Sequence, residues 1–208
     1  MNTARDISRR RRSPVQKRSR ETFDNICAAA SEILNERGLE ALNTNAVAER
    51  AGVSITAVYA YFPDKYAIMH ELFIRADERW RAAVMPLFEA VATADDLTAL
   101  MRRATFTSAK TRVQDPEYRA LRSAIWAVPE LAELERAILT ECTDLLAAEL
   151  RRRQSRLTAR RATRAAQTVV LAAAAAVEEC ARLGAVDRPL LEQVSLMSGL
   201  YVDQVLAD

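Results

Sequence analysis

The chain has 208 residues, half of them hydrophobic and 28% charged, which is the composition of a soluble globular protein with one or two domains. Four glycines, six prolines and abundant Ala, Leu, Arg and Glu favour helices, and no segment shows strand alternation, so we predict an all-α fold. A single histidine and three widely spaced cysteines match no metal-site spacing. We therefore expect no metal, no cofactor and no enzymatic activity.

The charge is distributed unevenly along the chain. Residues 1–20 contain eight basic residues and one acidic residue, whereas residues 21–208 contain 22 basic and 27 acidic residues. A basic arm on a slightly acidic body predicts a polyanionic partner, with a solubilising tail as the alternative. The basic start is not followed by an apolar region, and the longest apolar run, residues 169–177, is too short to span a bilayer. We expect a cytoplasmic protein without a membrane partner.

Capping residues, prolines and glycines predict about nine helices. The first four are predicted to begin at Ser19, at Asn43 or Thr44, at Ser54 and at Asp64. The first three end at Gly38, Gly52 and Pro63, and the fourth bends or breaks near Pro86. The fifth to ninth begin at Thr93 with Asp96, at Asp115–Pro116, at Pro129, at Thr158 and at Asp187–Pro189. The seventh runs to Arg151–Arg153 and the eighth ends at Gly184.

The second and third helices fit a helix-turn-helix unit that starts at Thr44. Such a unit needs a small residue where its helices cross, which is Ala48, and a glycine with positive φ in its turn, which is Gly52. Its remaining three requirements are inward apolar residues before the turn, just after it and in the second helix, and the residues at these places are Val47, Ala51, Val53 and Val58. Five requirements met in one register predict a DNA-binding element.

From about Ser19 to Ile68 the chain resembles the TetR family of bacterial transcriptional regulators. The resemblance rests on "NERGLEALNTNAVAERAGVS" and "VYAYFPDKYAIM". It implies a basic arm (residues 1–18), a three-helix helix-turn-helix DNA-binding domain (19–66) and a helical effector-binding and dimerisation domain (67–208). It also implies double-stranded DNA as partner, a homodimer, a small-molecule effector of apolar character and, as the family's usual mode, repression.

The resemblance and the chemistry of the side chains together nominate the DNA contacts. Hydroxyl and ammonium donors suited to phosphates are Thr44, Tyr59, Tyr61 and Lys65. Packing against the first helix is the alternative role for Tyr61. Outward residues suited to base edges and thymine methyl groups are Asn45, Ser54, Ile55, Thr56, Ala57 and Ala60. The arm adds Arg11, Arg12, Lys17 and Arg18, so deleting residues 1–16 is expected to weaken binding and flatten its salt dependence.

Helices eight and nine carry long stripes of small and apolar residues. With the resemblance, these stripes predict a four-helix bundle between two subunits, in which Gly199 and the alanine run allow the helices to approach each other closely. The nominated interface residues are Val169, Ala173, Ala176, Val177, Cys180, Val194, Ser198, Tyr201 and Val202. The alternative is a purely intramolecular core.

Large side chains with a few interspersed hydroxyls lie in the sequence between the helix-turn-helix and helices eight and nine. This mixture is typical of a small-molecule pocket, and the nominated lining is Trp80, Phe88, Met101, Thr105, Phe106, Tyr118, Ser123 and Trp126. For each aromatic residue alone, a core role is the alternative. Three rival functions remain, namely a non-specific architectural DNA-binding protein without a ligand, a regulator that answers to a protein partner and, with least support, a helical enzyme.

Overall fold

The structure is a computed structural model that describes residues 17–207, and within that range the chain forms nine α-helices and no strand. The helices are α1 (Lys17–Ala41), α2 (Thr44–Ala51), α3 (Ile55–Tyr61), α4 (Lys65–Glu89), α5 (Leu97–Gln114), α6 (Pro116–Ile125), α7 (Pro129–Arg153), α8 (Ala159–Leu183) and α9 (Arg188–Ala207). A short 3-10 helix, Ala90–Ala92, follows α4. The predicted all-α class and the predicted number of helices are confirmed.

Most helix ends lie where the capping residues predicted them. The Asp115 carboxylate accepts hydrogen bonds from the backbone N–H groups of Glu117 and Tyr118, and Thr158 accepts one from Arg161. Gly184 ends α8 in the left-handed conformation, at φ 68° and ψ 15°. These side chains and this backbone conformation satisfy terminal peptide groups that the helices themselves leave without partners.

Three predicted boundaries differ from the structure. Gly38 does not end the first helix but forms a kink within it, at φ 76° and ψ −175°, and helical residues resume to Ala41. The cap of α5 is Asp96, whose carboxylate accepts the Ala99 N–H at 2.8 Å, so Thr93 lies before the helix rather than at its start. Helix α4 continues past Pro86 and ends at Glu89, three residues after the proline near which a bend or break was expected.

The described residues fall into two compact units. The first contains residues 17–77 and Asp115–Leu134, and the second contains Glu78–Gln114 and residues 135–207. The division falls within α4 and α7. The predicted domains placed every residue after 66 together, whereas α6 clusters with the first unit, because its N-terminal end is bonded to α1. The side chains of Ser31 and Asn35 both donate to the Pro116 carbonyl, at 3.5 and 3.4 Å.

The core of the first unit is built from apolar side chains of α1 and α4 and of the segments that flank α2 and α3. Fully buried large side chains include Ile26, Ile33, Leu42, Phe62 and Leu72. Each contributes about 1.5–3 kcal/mol by removal from water, before the entropy of ordering is subtracted. This burial fixes α2 and α3 on α1, since neither helix is long enough to be stable alone.

The core of the second unit includes a cluster shared by α5, α8 and α9. Its buried members are Ala109, Ala176, Val177, Cys180 and Leu191. The alanines and the cysteine allow these helices to approach closely, because small side chains keep the interaxial distance short. The stripe that the sequence placed between two subunits therefore lies partly inside one chain.

We expect the Cys27 thiol to be inert in the native protein. Cys27 is fully buried in α1, and burial, opposed by the positive charge of Arg75, raises its pKa from 9.0 to about 12. Because the thiolate is the nucleophile, Cys27 should react with iodoacetamide at pH 8 only after unfolding. The raised pKa of the buried thiol also contributes to the free energy of unfolding, and this contribution is fully present below pH 9.0. It is lost progressively from pH 9.0 to about 12, because the thiol of the unfolded chain ionises at lower pH than the thiol of the folded chain. Mass spectrometry of labelled peptides, with and without denaturant, provides the test. Rapid native labelling of Cys27 would contradict its burial.

Candidate nucleic-acid interface

Helices α2 and α3 form a tight helix-turn-helix. Asn43 begins α2 by accepting the Ala46 N–H at 2.9 Å, and Gly52 ends it in the left-handed conformation, at φ 65° and ψ 33°. The Gly52 N–H bonds back to carbonyls of the last turn, and the Val53 N–H bonds to the Ala48 carbonyl at 3.0 Å. Ser54 then begins α3 by accepting the Ala57 N–H at 3.1 Å.

The side chains of this unit lie as the register required. Val47 and Val58 are fully buried, and Ala48 is buried where α2 packs on its neighbours. Ala51 and Val53 are half-buried on either side of the turn. Since a positive φ at Gly52 strains any residue with a Cβ, the glycine is required by the turn itself.

The nominated phosphate contacts divide into exposed and packed groups. Tyr59 is 42% exposed, and its hydroxyl lies 3.2 Å from the Thr44 hydroxyl, so two hydroxyl groups from α2 and α3 lie side by side. Lys65 is half-exposed at the start of α4, where its ammonium lies 5.6 Å from the Tyr66 ring centroid. These three side chains of the nominated set can reach an anion without rearrangement of the core.

Tyr61 is buried against α1. Its ring packs edge-on against Phe23, with centroids 5.6 Å apart, and its hydroxyl lies 2.8 Å from the Ser19 hydroxyl. Phe23 in turn stacks on Phe62 at 5.0 Å. The packing role that the sequence left open is therefore the one that the structure shows, and it ties α3 to the first turns of α1.

The nominated base-contacting residues lie on the accessible side of the unit. Asn45, Thr56 and Ala60 are exposed, and Ile55 and Ala57 are half-buried. The Ser54 side chain is exposed but already accepts the capping bond from Ala57, which leaves mainly its hydroxyl proton to donate elsewhere. The exposed edge is thus poor in hydrogen-bonding groups and rich in methyl groups, as the sequence indicated.

The basic arm lies almost entirely outside the described residues. Arg11 and Arg12 precede residue 17, and Lys17 and Arg18 form the first turn of α1, where Arg18 is exposed. The expected contribution of the arm to DNA binding stays a prediction.

An ion pair that the sequence did not indicate fixes α2 on α1. The Arg50 guanidinium bonds Glu36 at 3.1 and 2.8 Å and Glu32 at 3.1 Å. Hydrogen bonds from Arg50 lower the pKa of the Glu36 carboxyl, and those carboxylates raise the pKa of Arg50. The signal available in the sequence was the pair of glutamates four residues apart, which places both carboxylates on one face of α1.

A second arginine joins three helices of the first unit. The Arg75 guanidinium in α4 lies 2.6 Å from Asp24 in α1, 3.3 Å from Glu71 and 3.8 Å from Glu117 in α6. It also lies over the Phe23 ring, at 5.2 Å from the centroid. No local pattern could have found this network, because its members are up to about ninety positions apart.

The nominated effector-pocket residues lie in both compact units. Trp80, Phe88, Met101, Thr105 and Phe106 belong to the second unit, and Tyr118, Ser123 and Trp126 belong to the first. Tyr118 is buried, whereas Ser123 is exposed and Trp126 is 56% exposed. The Thr105 hydroxyl donates to the Met101 carbonyl within its own helix, and Phe106 packs on the cluster around Cys180. A pocket formed by all eight residues stays a prediction.

The buried part of this region contains polar groups that the sequence reasoning missed. The Trp80 indole N–H donates to the Ser108 hydroxyl at 2.8 Å, and the Arg112 guanidinium lies over the Trp80 ring at 5.3 Å. Arg112 also bonds the Glu135 carboxylate at 3.2 Å, and both side chains are buried. The buried Arg112–Glu135 pair therefore lies beside the Trp80 ring in the second unit.

Most of the nominated dimer residues are covered by their own chain. Val169, Ala176, Val177, Cys180, Ser198 and Val202 are buried, Ala173 and Val194 are half-buried, and only Tyr201 is exposed. Gly199 is buried as well, in contact with Thr98 of α5. These residues therefore contribute to the core of their own chain, and their role in a dimer interface stays a prediction. The exposed large apolar residues of the two helices are Leu171, Leu183, Leu196, Met197, Leu200 and Tyr201, here called the α8–α9 apolar face.

The described part of the chain contains neither a cluster of metal-ligating side chains nor a membrane-spanning helix. Residues 17–207 contain no group of three or more His, Cys, Asp or Glu side chains placed to hold a metal ion. None of the helices in that range is both long and apolar enough to cross a bilayer.

Comparison with known proteins identifies the fold and the N-terminal domain. Residues 26–72 match the family described as "Bacterial regulatory proteins, tetR family", and no curated protein matches the chain by sequence. A TetR-like transcriptional regulator from Rhodococcus sp. RHA1 is 16% identical with a TM-score of 0.62, over 89% of this chain and 96% of that one. The TetR family transcriptional regulator PfmR from Thermus thermophilus is 23% identical with a TM-score of 0.56, over 88% and 97%.

A third solved structure contains a small molecule. SmeT in its complex with triclosan is 19% identical to this chain with a TM-score of 0.54, over 89% of this chain and 90% of that one. At these identities the solved structures indicate a shared fold, and the matched residues 26–72 contain the whole helix-turn-helix. The helix-turn-helix domain of this chain thus matches the TetR family of bacterial regulatory proteins, and the chain shares the fold of the solved TetR-like structures.

Proposed function

We propose that this chain is a ligand-responsive transcriptional repressor that binds a palindromic DNA operator as a homodimer. The observation that carries the proposal is the helix-turn-helix of α2 and α3, with its core side chains buried and its other edge accessible. That edge presents hydroxyl, amide and methyl groups of a size suited to a major groove.

The proposed DNA contacts fall into positioning and reading groups. Thr44 and Tyr59, with hydroxyls 3.2 Å apart, and Lys65 at the start of α4 are proposed to hold phosphates. Thr56, Asn45 and the methyl-bearing residues beside them on α2 and α3 are proposed to read bases. Because this edge has few hydrogen-bonding groups, much of the affinity is assigned to the basic arm.

A homodimer is supported by the α8–α9 apolar face. Six of the nine large apolar side chains exposed in the described residues belong to these two helices. Exposed apolar groups gathered on two neighbouring helices are typical of protein–protein contacts. A dimer also suits the short α3, since one such helix reads few base pairs and paired half-sites lie about 34–36 Å apart.

Response to a small molecule is proposed for the second unit. SmeT, which shares the fold, was solved in a complex with triclosan. In this chain the proposed effector region is the part of the second unit around Trp80, whose ring contacts Ser108 and Arg112. An effector that prefers the DNA-incompetent conformation would lower DNA affinity by shifting the population of conformations.

The testing experiment measures binding to DNA that flanks the protein's own gene and to a scrambled sequence of equal length, across a salt series. The proposal predicts a preference of several kcal/mol for a palindromic segment, protected as two half-sites. Deleting residues 1–16 should flatten the salt dependence. Equal binding to both DNAs with a steep salt slope would favour the alternative, a non-specific architectural protein whose affinity comes from the basic arm.

Replacing Tyr59 by phenylalanine is expected to weaken operator binding about two- to tenfold, the value of one hydrogen bond to a phosphate. Its ring is not part of the core, so the unfolding midpoint should stay unchanged. Tyr61→Phe should behave in the opposite way. It removes the bond to Ser19 and costs about 0.5–1.5 kcal/mol of stability, with little direct effect on DNA affinity.

The matched control is Thr140→Val, which removes a hydroxyl at an exposed position of α7 in the other compact unit, away from every nominated contact. Fluorescence anisotropy with operator DNA and urea denaturation measure the two quantities separately. Wild-type affinity in Tyr59→Phe would remove this hydroxyl from the proposed phosphate contacts.

A further inference from the structure

The accessible side of α8 carries opposite charges toward its two ends. Arg160 and Arg164 lie exposed near its start, and Glu178 lies half-exposed near its end. Leu171 lies midway between Arg164 and Glu178 and is 49% exposed. The helix thus has a basic end, an apolar middle and an acidic residue toward its other end, all on surface that its own chain leaves accessible.

These residues share one face of the helix. Arg164, Leu171 and Glu178 follow each other at intervals of seven residues, which is close to two turns, so successive side chains project about 20° apart and Arg164 and Glu178 about 40° apart. Each charge lies about 10.5 Å along the axis from Leu171. Leu171 is therefore the centre of a line on which the sign of the charge reverses.

A twofold axis converts this line into complementary pairs. In a closed two-chain interface the same surface patch meets itself, so that residue i contacts residue j of the other copy and j contacts i. With two α8 helices antiparallel about Leu171, each Arg164 faces the Glu178 of the second copy. A parallel arrangement would place like charges opposite each other.

Building on the homodimer proposed above, we propose that α8 pairs antiparallel with α8 of a second copy about Leu171. Arg164 and Glu178 then set the register and select copies of this chain as partners. Electrostatic pairing of this kind contributes specificity more than affinity. The affinity comes from the apolar middle, where Leu171 is joined by the exposed residues of α9.

The surroundings of Arg164 fit this arrangement. Arg164 and Tyr201 line the same groove between the start of α8 and the end of α9, so the basic end of the stripe adjoins the α8–α9 apolar face. Glu178 also has an interaction within its own chain. A carboxylate has two oxygens and accepts several hydrogen bonds, so a guanidinium from the second copy can share it.

At the other end, Arg182 is already neutralised by Glu179, at 2.6 and 2.7 Å. Symmetry about Leu171 brings Arg160 opposite this neutral pair rather than opposite an isolated positive charge. No uncompensated like-charge contact therefore arises along the stripe.

The test uses two single charge reversals, Arg164→Glu and Glu178→Arg, in the full chain. Dimer dissociation constants are measured by analytical ultracentrifugation, and circular dichroism verifies folding. Each single variant should dimerise about tenfold or more weakly than wild type, because its homodimer contains two like-charge contacts. An equimolar mixture of the two variants should form mainly heterodimers, since both contacts are then complementary.

The double variant Arg164→Glu, Glu178→Arg should recover homodimerisation and pair poorly with wild type. The control is Arg103→Glu, which reverses an exposed charge on α5 and should leave the dissociation constant unchanged. If the wild type is a dimer but the mixture pairs at random, the register is wrong and the homodimer stands. A monomeric wild type would overturn the homodimer together with the register.

Discussion

Replacing Glu135 by leucine is expected to destabilise the protein by about 3–5 kcal/mol, because it leaves the Arg112 guanidinium buried without this carboxylate. The two side chains are 3.2 Å apart and only 7% and 10% exposed. Removing one member of a buried pair is costly because the remaining charge has lost both water and a carboxylate that bonds it. Urea denaturation followed by circular dichroism measures the loss.

Replacing both members of this pair should cost much less stability than replacing Glu135 alone. Exchanging Arg112 and Glu135 together for leucine removes both charges, so the double variant should recover most of the stability lost in Glu135→Leu. Part of the loss will persist, since Arg112 also lies over the Trp80 ring. Non-additivity of this size would show that the cost comes from the unpaired charge rather than from the missing contact.

An exposed pair in the same unit provides the matched control. Arg102 bonds Glu192 at 2.6 and 2.5 Å, but these side chains are 51% and 42% exposed. Glu192→Leu should leave the unfolding midpoint unchanged, because water solvates the released guanidinium. A Glu135→Leu midpoint equal to that of this control would mean that water reaches Arg112, contradicting its burial.

The helix-turn-helix could be predicted from sequence because its determinants are local. Asn43, Gly52 and Ser54 fix two helix ends and the turn through hydrogen bonds that span only a few residues. Val47 and Val58 then have only one interior to face. Where a short-range rule decides the conformation, the order of residues contains the answer.

The surface of α8 and α9 could not be predicted in the same way. Helical periodicity shows that Val177 and Cys180 share an apolar stripe, but not whether α5 of the same chain or a second copy covers it. The structure shows the former, since Ala109 of α5 lies in their cluster. The large apolar side chains that stay exposed on these helices, such as Leu171 and Leu200, are different residues, which the alanine run obscured.

The polar groups around Trp80 show the same limit. Arg112 and Glu135 are 23 positions apart on different helices, and no spacing rule joins them. Trp80 could be nominated from its size, but its bond to Ser108 depends on how α4 and α5 pack. Composition indicates that aromatic residues are present, whereas tertiary packing decides which ones surround polar groups.

Gly199→Ala tests whether helix propensity or the packing of α9 on α5 decides stability at this position, because the two predict changes of opposite sign. Helix propensity alone predicts that alanine in the interior of α9 stabilises the protein by about 1 kcal/mol. Gly199, however, is buried where α9 crosses α5, and a Cβ there would lie 2.7 Å from the Thr98 Cα. That contact involves backbone, so the helices must move apart, and we expect a net destabilisation of about 1–3 kcal/mol.

Gln193→Ala, at an exposed position of the same helix, controls for propensity and should change stability by less than about 0.5 kcal/mol. Adding Thr98→Ala to Gly199→Ala removes only the hydroxyl and the methyl group, so it should restore little. Full recovery would mean that the side chain alone blocks the Cβ, and a rise in the denaturation midpoint of Gly199→Ala would show that the two helices do not cross this closely.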